Sequence, residues 1–161
     1  MPSKQRCINI HERSVLNDLR HGNKPMKYLL DNNILSEPTK LQPHQNVLKQ
    51  LELKGIFACT CAVVWNELWY GIHRLPNRQR QAQLAAYLNL LAEDGLVILP
   101  FDYAAAEWLA QEQVRLEHLG TKPAQYDSLI AAIAAVNNLT LVTRNTKDFI
   151  MFEDLRVENW F

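Results

Sequence analysis

Apolar and polar positions along this chain follow two alternating periods. Short apolar runs at 26–30 (MKYLL), 56–60 (IFACT), 96–100 (LVILP) and 139–143 (LTLVT) read as buried strands, and 155–159 (LRVEN) is a fifth candidate. Between them lie stretches whose apolar residues recur every three or four positions. NVLKQLELKG (46–55) predicts a short helix ending at Gly55. AVVWNELWYGIHRL (62–75) predicts a second, with Val64, Leu68, Ile72 and Leu75 on one stripe. NRQRQAQLAAYLNLLAED (77–94) follows, stopped by Gly95. DYAAAEWLAQEQVRLEHLG (102–120) is a long helix with Asp102 as its N-cap and Gly120 beyond its end. AQYDSLIAAIAAVNN (124–138) is the last.

Strands interleaved with helices predict an α/β fold, a mainly parallel sheet of about four or five strands covered on both faces. Such sheets take ligands beyond the carboxyl ends of their strands. Asp31 directly follows MKYLL, and Asn145 lies just past LTLVT, so both are expected on one rim. Residues 1–25 differ in character, being polar and rich in Lys and Arg. They are expected to be an appendage, with a helical turn or two in NIHERSVLNDLR, ahead of a folded domain at 26–161. Translation in the cell is then expected to begin at Met26, and mass spectrometry that finds residues 1–25 on the native protein refutes this.

Composition narrows the choice of function only slightly. The 161 residues are 48% apolar, which excludes a disordered chain and allows a real core. No apolar stretch approaches the roughly 18 residues that cross a bilayer, and the N-terminal stretch has no apolar signal region. A cytoplasmic protein away from membranes is the expectation. Cys59 and Cys61, two apart beside an apolar run, read as small buried hydrophobes in a reducing compartment. Seventeen basic side chains balance seventeen acidic ones. Global charge therefore gives no argument for nucleic-acid binding, while a local basic patch stays open.

Candidate chemistry is carried by acids, each of which also has an ordinary structural reading. Asp31, in Asp31-Asn32-Asn33, is either a turn residue or a charge at a strand tip, and Asn33 before Ile34 and Leu35 would cap a helix equally well. Glu67 borders the apolar stripe of its helix, where a boundary glutamate can pack its stem and hydrate its head. Gly71 one turn on costs about 1 kcal/mol against alanine, which a close approach of backbone or ligand would explain. Asp127 shares a helical face with Ile130, Ala131 and Ala134. It is either a first-turn acid favoured by the helix dipole or a carboxylate needing a counter-charge. Asn145 and Asp148 in TRNTKDF fit a capping-box-like turn, and the same geometry aims both at the strand tip. Arg144 or Lys147 could neutralise phosphate there. No histidine has a ligand-like neighbour one turn away, which disfavours zinc. A set of oxygen donors suits a hard cation such as Mg²⁺ or Mn²⁺, which promotes phosphodiester hydrolysis.

The same residues carry a family likeness. YLLDNNILSE, WNELWYGI, LVILPFDYAAAEWLA, YDSLIAAIAAVNNLTLVTRNTKDF and LRVENW appear in an order and spacing that resembles the PIN-domain ribonucleases, specifically the VapC-type toxins of bacterial toxin–antitoxin pairs. The resemblance covers Met26 to Phe161. It implies a three-layer α/β/α sandwich and a Mg²⁺- or Mn²⁺-dependent endoribonuclease that arrests translation when freed of its antitoxin. Metal-binding and catalytic roles then fall on Asp31, Glu67 and Asp127. The fourth acidic position lies in TRNTKDF, with Asp148 as the charge and Asn145 as a neutral oxygen. Asn33 and Arg144 would orient phosphate. The resemblance also implies an RNA substrate, a homodimer, a cognate antitoxin whose tail covers the acidic rim, and a larger toxin–antitoxin assembly. Trp65, Trp69 and Tyr70 would belong to the antitoxin groove, unless they simply pack in the core. Asn32 departs from the family pattern, in which a threonine follows the first Asp. A phosphatase with a strand-end Asp nucleophile is a rival, though it would carry a second Asp where Asn33 stands. A catalytically silent antitoxin-binding module is another.

Overall fold

The computed structural model describes residues 25–161; the appendage and helical turns expected before Pro25 lie outside them. The five apolar runs become five parallel strands, β1 (Tyr28–Leu30), β2 (Ala58–Cys61), β3 (Ile98–Leu99), β4 (Thr140–Val142) and β5 (Arg156–Glu158). Their order across the sheet is β3-β2-β1-β4-β5. β1 pairs Tyr28 with Ala58 on one side and with Thr140 on the other. Six α-helices complete the described chain: α1 (Asn32–Leu35), α2 (Gln45–Lys54), α3 (Ala62–His73), α4 (Arg78–Glu93), α5 (Tyr103–His118) and α6 (Gln125–Val136). With the sheet they form the expected three-layer α/β/α sandwich.

Burial follows strand position. The central strands bring Leu29, Leu30, Cys59, Cys61, Leu141 and Val142 into the core. Edge strands β3 and β5 are only half-buried or exposed. α6 is apolar nearly all round, and Ile130 to Ala134 are buried without a break, so it is an interior helix. Cys59 and Cys61 are free buried thiols. Burial, with the charge of Cys61 adding, pushes Cys59 up to about 12; burial, with the charges of Asp31 and Glu67 adding, pushes Cys61 up to about 11. Both thiols are therefore inert packing groups.

Several boundaries differ from the sequence expectation. The second strand starts at Ala58, because Gly55–Phe57 continue α2 as a 3₁₀ turn. Gly55 has φ −56°, so it ends the helix without the left-handed conformation. Gly95 and Gly120 do adopt positive φ, 89° and 68°, after α4 and α5. Asp102 caps α5 as its sequence position predicts, accepting from the Ala105 N–H at 3.0 Å. The run LVILP contributes only two ladder residues, Ile98 and Leu99, at an edge of the sheet.

The sheet order also locates a crevice. From β1 the chain moves to β2 and β3 on one side, then crosses to β4 and β5 on the other. The carboxyl ends of β1 and β4 flank this reversal, where loops part and leave room for a ligand. Asp31 follows β1, and Thr143 follows β4.

Candidate active site

Asp31 holds the crevice together. Its N–H donates to Val142 O at 3.0 Å, extending the β1–β4 ladder, and its carbonyl accepts from Ile34 and Leu35 to start α1. Its carboxylate is almost fully buried at 6% exposure. Oδ1 accepts from the Asn32 N–H at 2.7 Å, while Oδ2 accepts from Asn33 Nδ2 at 2.8 Å and Thr143 Oγ1 at 2.6 Å. Asp31 is thus the N-cap of α1 and a strand-tip carboxylate at once, so the two sequence readings were not alternatives. Asn33 lies inside α1 and does not cap it. Its amide braces Asp31, and its Oδ1 accepts the Arg144 N–H at 3.0 Å.

Glu67 approaches from α3. Asn32 Nδ2 donates to Glu67 Oε2 at 3.1 Å, linking the β1 tip to that helix. Burial, then the charges of Asp31 and Asp127, raise the Glu67 carboxyl above its ordinary value, and the Asn32 bond partly offsets them. Asp127 lies in the first turn of α6, half-buried, with no side-chain hydrogen bond among the described residues. Burial, then the charges of Asp148 and Asp31, hold it above the usual carboxylate range. Asp31, Glu67 and Asp127 therefore share one field, and Asp148 joins it beside Asp127.

Asn145 stands at the N-cap of the 3₁₀ turn Thr146–Asp148, but its side chain makes no capping bond. The capping-box reading fails there. Its N–H instead donates to Thr143 Oγ1 at 3.1 Å, and its exposed side chain remains available. Arg144 is exposed and makes no ion pair among the described residues. Its guanidinium carbon sits 4.9 Å from the centre of the Phe161 ring.

An oxygen-only donor set with a half-buried, unbonded Asp127 among like charges fits a hard divalent cation. The carboxylates do not close into a cage: among the described residues no three Asp, Glu, His or Cys side chains converge closely enough to hold a metal by themselves.

Beside Glu67 lies a cavity of about 370 Å³, lined by Asn32, Glu67, Leu68, Gly71, Ile72 and Tyr87 among others. Nothing lies within 4 Å of where a Gly71 side chain would begin, so no close backbone approach explains that glycine. Trp65, Trp69 and Tyr70, expected in a groove, do not line this cavity. Trp65 and Trp69 are half-buried, with Trp69 stacked on His73 at 5.7 Å, and Tyr70 is 60% exposed. α3 turns Leu68, Gly71 and Ile72 to the cavity instead. Sequence reasoning missed Thr143 and Asn32 as donors to the acids. The only sign of Thr143 was a hydroxyl closing an apolar run.

A parallel α/β sandwich with carboxylates at its topological switch point belongs to the class of open-sheet domains that take a ligand at a strand-end rim. A PIN-domain family model matches residues 28–155. The chain is 30% identical over 139 residues to the tRNA(fMet)-specific endonuclease VapC of Shigella flexneri, covering 84% of this chain and 98% of that protein. It is 33% identical to Toxin FitB of Neisseria gonorrhoeae, covering 75% of this chain and 89% of that one. Among solved structures, VapBC2 from Rickettsia felis, bound to a DNA fragment from its promoter, superposes with a TM-score of 0.72 at 28% identity. That match covers 84% of this chain and all of the other. The chain belongs to the PIN-domain family, among its VapC ribonucleases. No helix among the described residues is long and apolar enough to cross a membrane.

Proposed function

We propose that this VapC-type endoribonuclease, the toxin of a toxin–antitoxin pair, cuts RNA phosphodiester bonds at the Asp31 rim with the help of Mg²⁺ or Mn²⁺. The cation, when bound, supplies charge neutralisation on the attacked phosphate and activation of water. Asp31, Glu67, Asp127 and Asp148 would hold it, directly or through water. Asp31 is fixed by three donors and sets the position; Asp127 and Asp148 adjust to it. Arg144 and Asn145 orient the strand from the β4 side, Arg144 offering the positive charge to the phosphate next to the attacked one, and Asn33 helps by accepting the Arg144 N–H. Water adds to phosphorus, the bond to the leaving ribose oxygen breaks, and that oxygen takes up a proton. Asn33 stands where a phosphatase of the strand-end-Asp type would need a second acid, and its amide is already committed to Asp31.

One observation carries this reading: Asp127 is a half-buried carboxylate with no side-chain hydrogen bond among the described residues, raised by burial and then by the charges of Asp148 and Asp31. Such a group is costly unless a cation joins it. The purified protein is expected to cut a structured RNA with Mg²⁺ or Mn²⁺ present, and EDTA or Asp127→Asn to abolish cutting. Equal cutting by the variant sinks the assignment.

The relatives include toxins and structures of toxin–antitoxin complexes, which supports a protein antitoxin as partner. The cavity beside Glu67 is the place for its apolar segment, with its tail over the rim. A cytoplasmic homodimer within a larger toxin–antitoxin assembly completes the proposal. Growth arrest on induction, relieved by Asp127→Asn, tests the toxin role.

A further inference from the structure

On the β5 side of the rim, cations gather round one ring. Phe161 follows β5. Arg144 Cζ lies 4.9 Å and Lys40 Nζ 5.9 Å from its centroid, and the His44 ring is 5.4 Å away, tilted by 48°. The three polar residues come from loops after β1 and β4, so every member stands at the carboxyl edge of the sheet. Their charges are not equally available. Lys40 is paired with the buried Glu37, which also accepts the His44 N–H at 2.8 Å. Arg144 has no acidic partner among the described residues. It is nevertheless held at two points, its N–H on Asn33 Oδ1 and its guanidinium on Phe161. Asn33 in turn donates to Asp31. The unpaired cation is therefore fixed in register with the carboxylate rim.

We propose that Phe161, Arg144, Lys40 and His44 form a subsite for the phosphodiester backbone of single-stranded RNA, flanking the rim on its β5 side. The proposal rests on the nuclease reading and adds to it how the strand is held away from the cut. A phosphate at the rim and another at Arg144 are presented together by a polymer that carries one charge per nucleotide. An isolated anion would gain nothing from the fixed register. Phe161 pre-organises the guanidinium through its ring face, so less freedom is lost when a phosphate binds. The exposed His44 ring offers a surface on which a base can stack.

The test measures fluorescence anisotropy of a labelled single-stranded RNA of mixed sequence, bound to full-length protein carrying Asp127→Asn, across a series of KCl concentrations. Adding Arg144→Gln is expected to lower the slope of log K against log salt by about 0.7, the value of one lost phosphate contact on a single strand. Phe161→Ala keeps every charge yet is expected to weaken binding several-fold, and Phe161→Trp to restore it. Thermal melts matching the parent separate this from misfolding. An unchanged slope and affinity in Arg144→Gln overturns the subsite, as does selective loss of labelled polyglutamate binding, which would mark an acidic peptide as the occupant. Failure of the wild-type protein to cut RNA would instead overturn the nuclease reading, so the two failures are distinct.

Discussion

Replacing Thr143 by valine removes one hydroxyl from the centre of the site and little else. Thr143 is fully buried, and valine matches its shape, so no cavity opens. Lost is the 2.6 Å bond from Oγ1 to the buried Asp31 carboxylate, together with the acceptor used by Asn33 Nδ2 at 3.3 Å and the Asn145 N–H at 3.1 Å. A hydrogen bond to a charged group is worth about 1.5–3 kcal/mol. Asn145 is exposed and its N–H can turn to water, so that loss adds little. The expected destabilisation is about 1.5–3 kcal/mol, or roughly 5–10 °C in Tm for a domain of this size. Urea denaturation in EDTA measures it. Thr143→Ser keeps the hydroxyl and is expected to lose only about 1 kcal/mol, the value of a buried methyl. A double-mutant cycle with Asp31→Asn isolates the coupling, which should account for most of the loss. If Thr143→Val stays within about 0.5 kcal/mol of the parent, the usual spread of neutral substitutions, the hydroxyl does not brace Asp31 and this account of the rim is wrong.

Four further outcomes follow from the same geometry. Glu67 and Asp127 both have raised carboxyls, so their stabilising contribution is full below the ordinary carboxylate range and is lost as pH rises through their folded values. In EDTA, Asp127→Asn is therefore expected to be more stable than the parent at neutral pH and equal at low pH; urea titrations across pH read this. Mg²⁺ at a hundred times its dissociation constant should stabilise the parent by about 2.7 kcal/mol and leave Asp127→Asn nearly unmoved, by calorimetry. Gly71 sits in α3 with open space where a side chain would start, so Gly71→Ala should gain about 1 kcal/mol in chemical denaturation, and no gain refutes the reading of that space. Asn32→Ala removes the donor to Glu67, so the acidic limb of the pH–activity profile is expected to move to higher pH.

Much of this fold was legible because its signals are local. Apolar runs of strand length alternate with helical stripes, Asp102 caps α5, and Gly95 and Gly120 take the positive φ that ends helices. The strand order is not local, and no run states that β1 lies between β2 and β4. β3, at the sheet edge, keeps only two ladder residues of a five-residue apolar run. The acids stood out because a charge on an apolar helical face is conspicuous. Thr143 did not, because its partner Asp31 is 112 residues away and only the closed sheet brings them together. Asn145 misled for the converse reason. Its spacing fits a capping box, but the backbone turn forms through Asp148 N–H to Asn145 O and leaves the side chain out.

The two asparagines after Asp31 divide the cluster into a fixed half and a responsive half. Asn33 and Thr143 hold Asp31, and Asn32 holds Glu67, so these two carboxylates have neutral donors that lower the cost of their charge. Asp127 and Asp148 have no such donors among the described residues. An incoming positive charge therefore gains most beside Asp127 and least where donors already stand. For the proposed cation, position would be set at the β1 tip, while the electrostatic drive to bind would lie on α6 and the turn after β4. The amide of Asn32 matters here because it spans from α1 to α3, tying Glu67 to the strand that carries Asp31. That bond makes the fixed half a single unit.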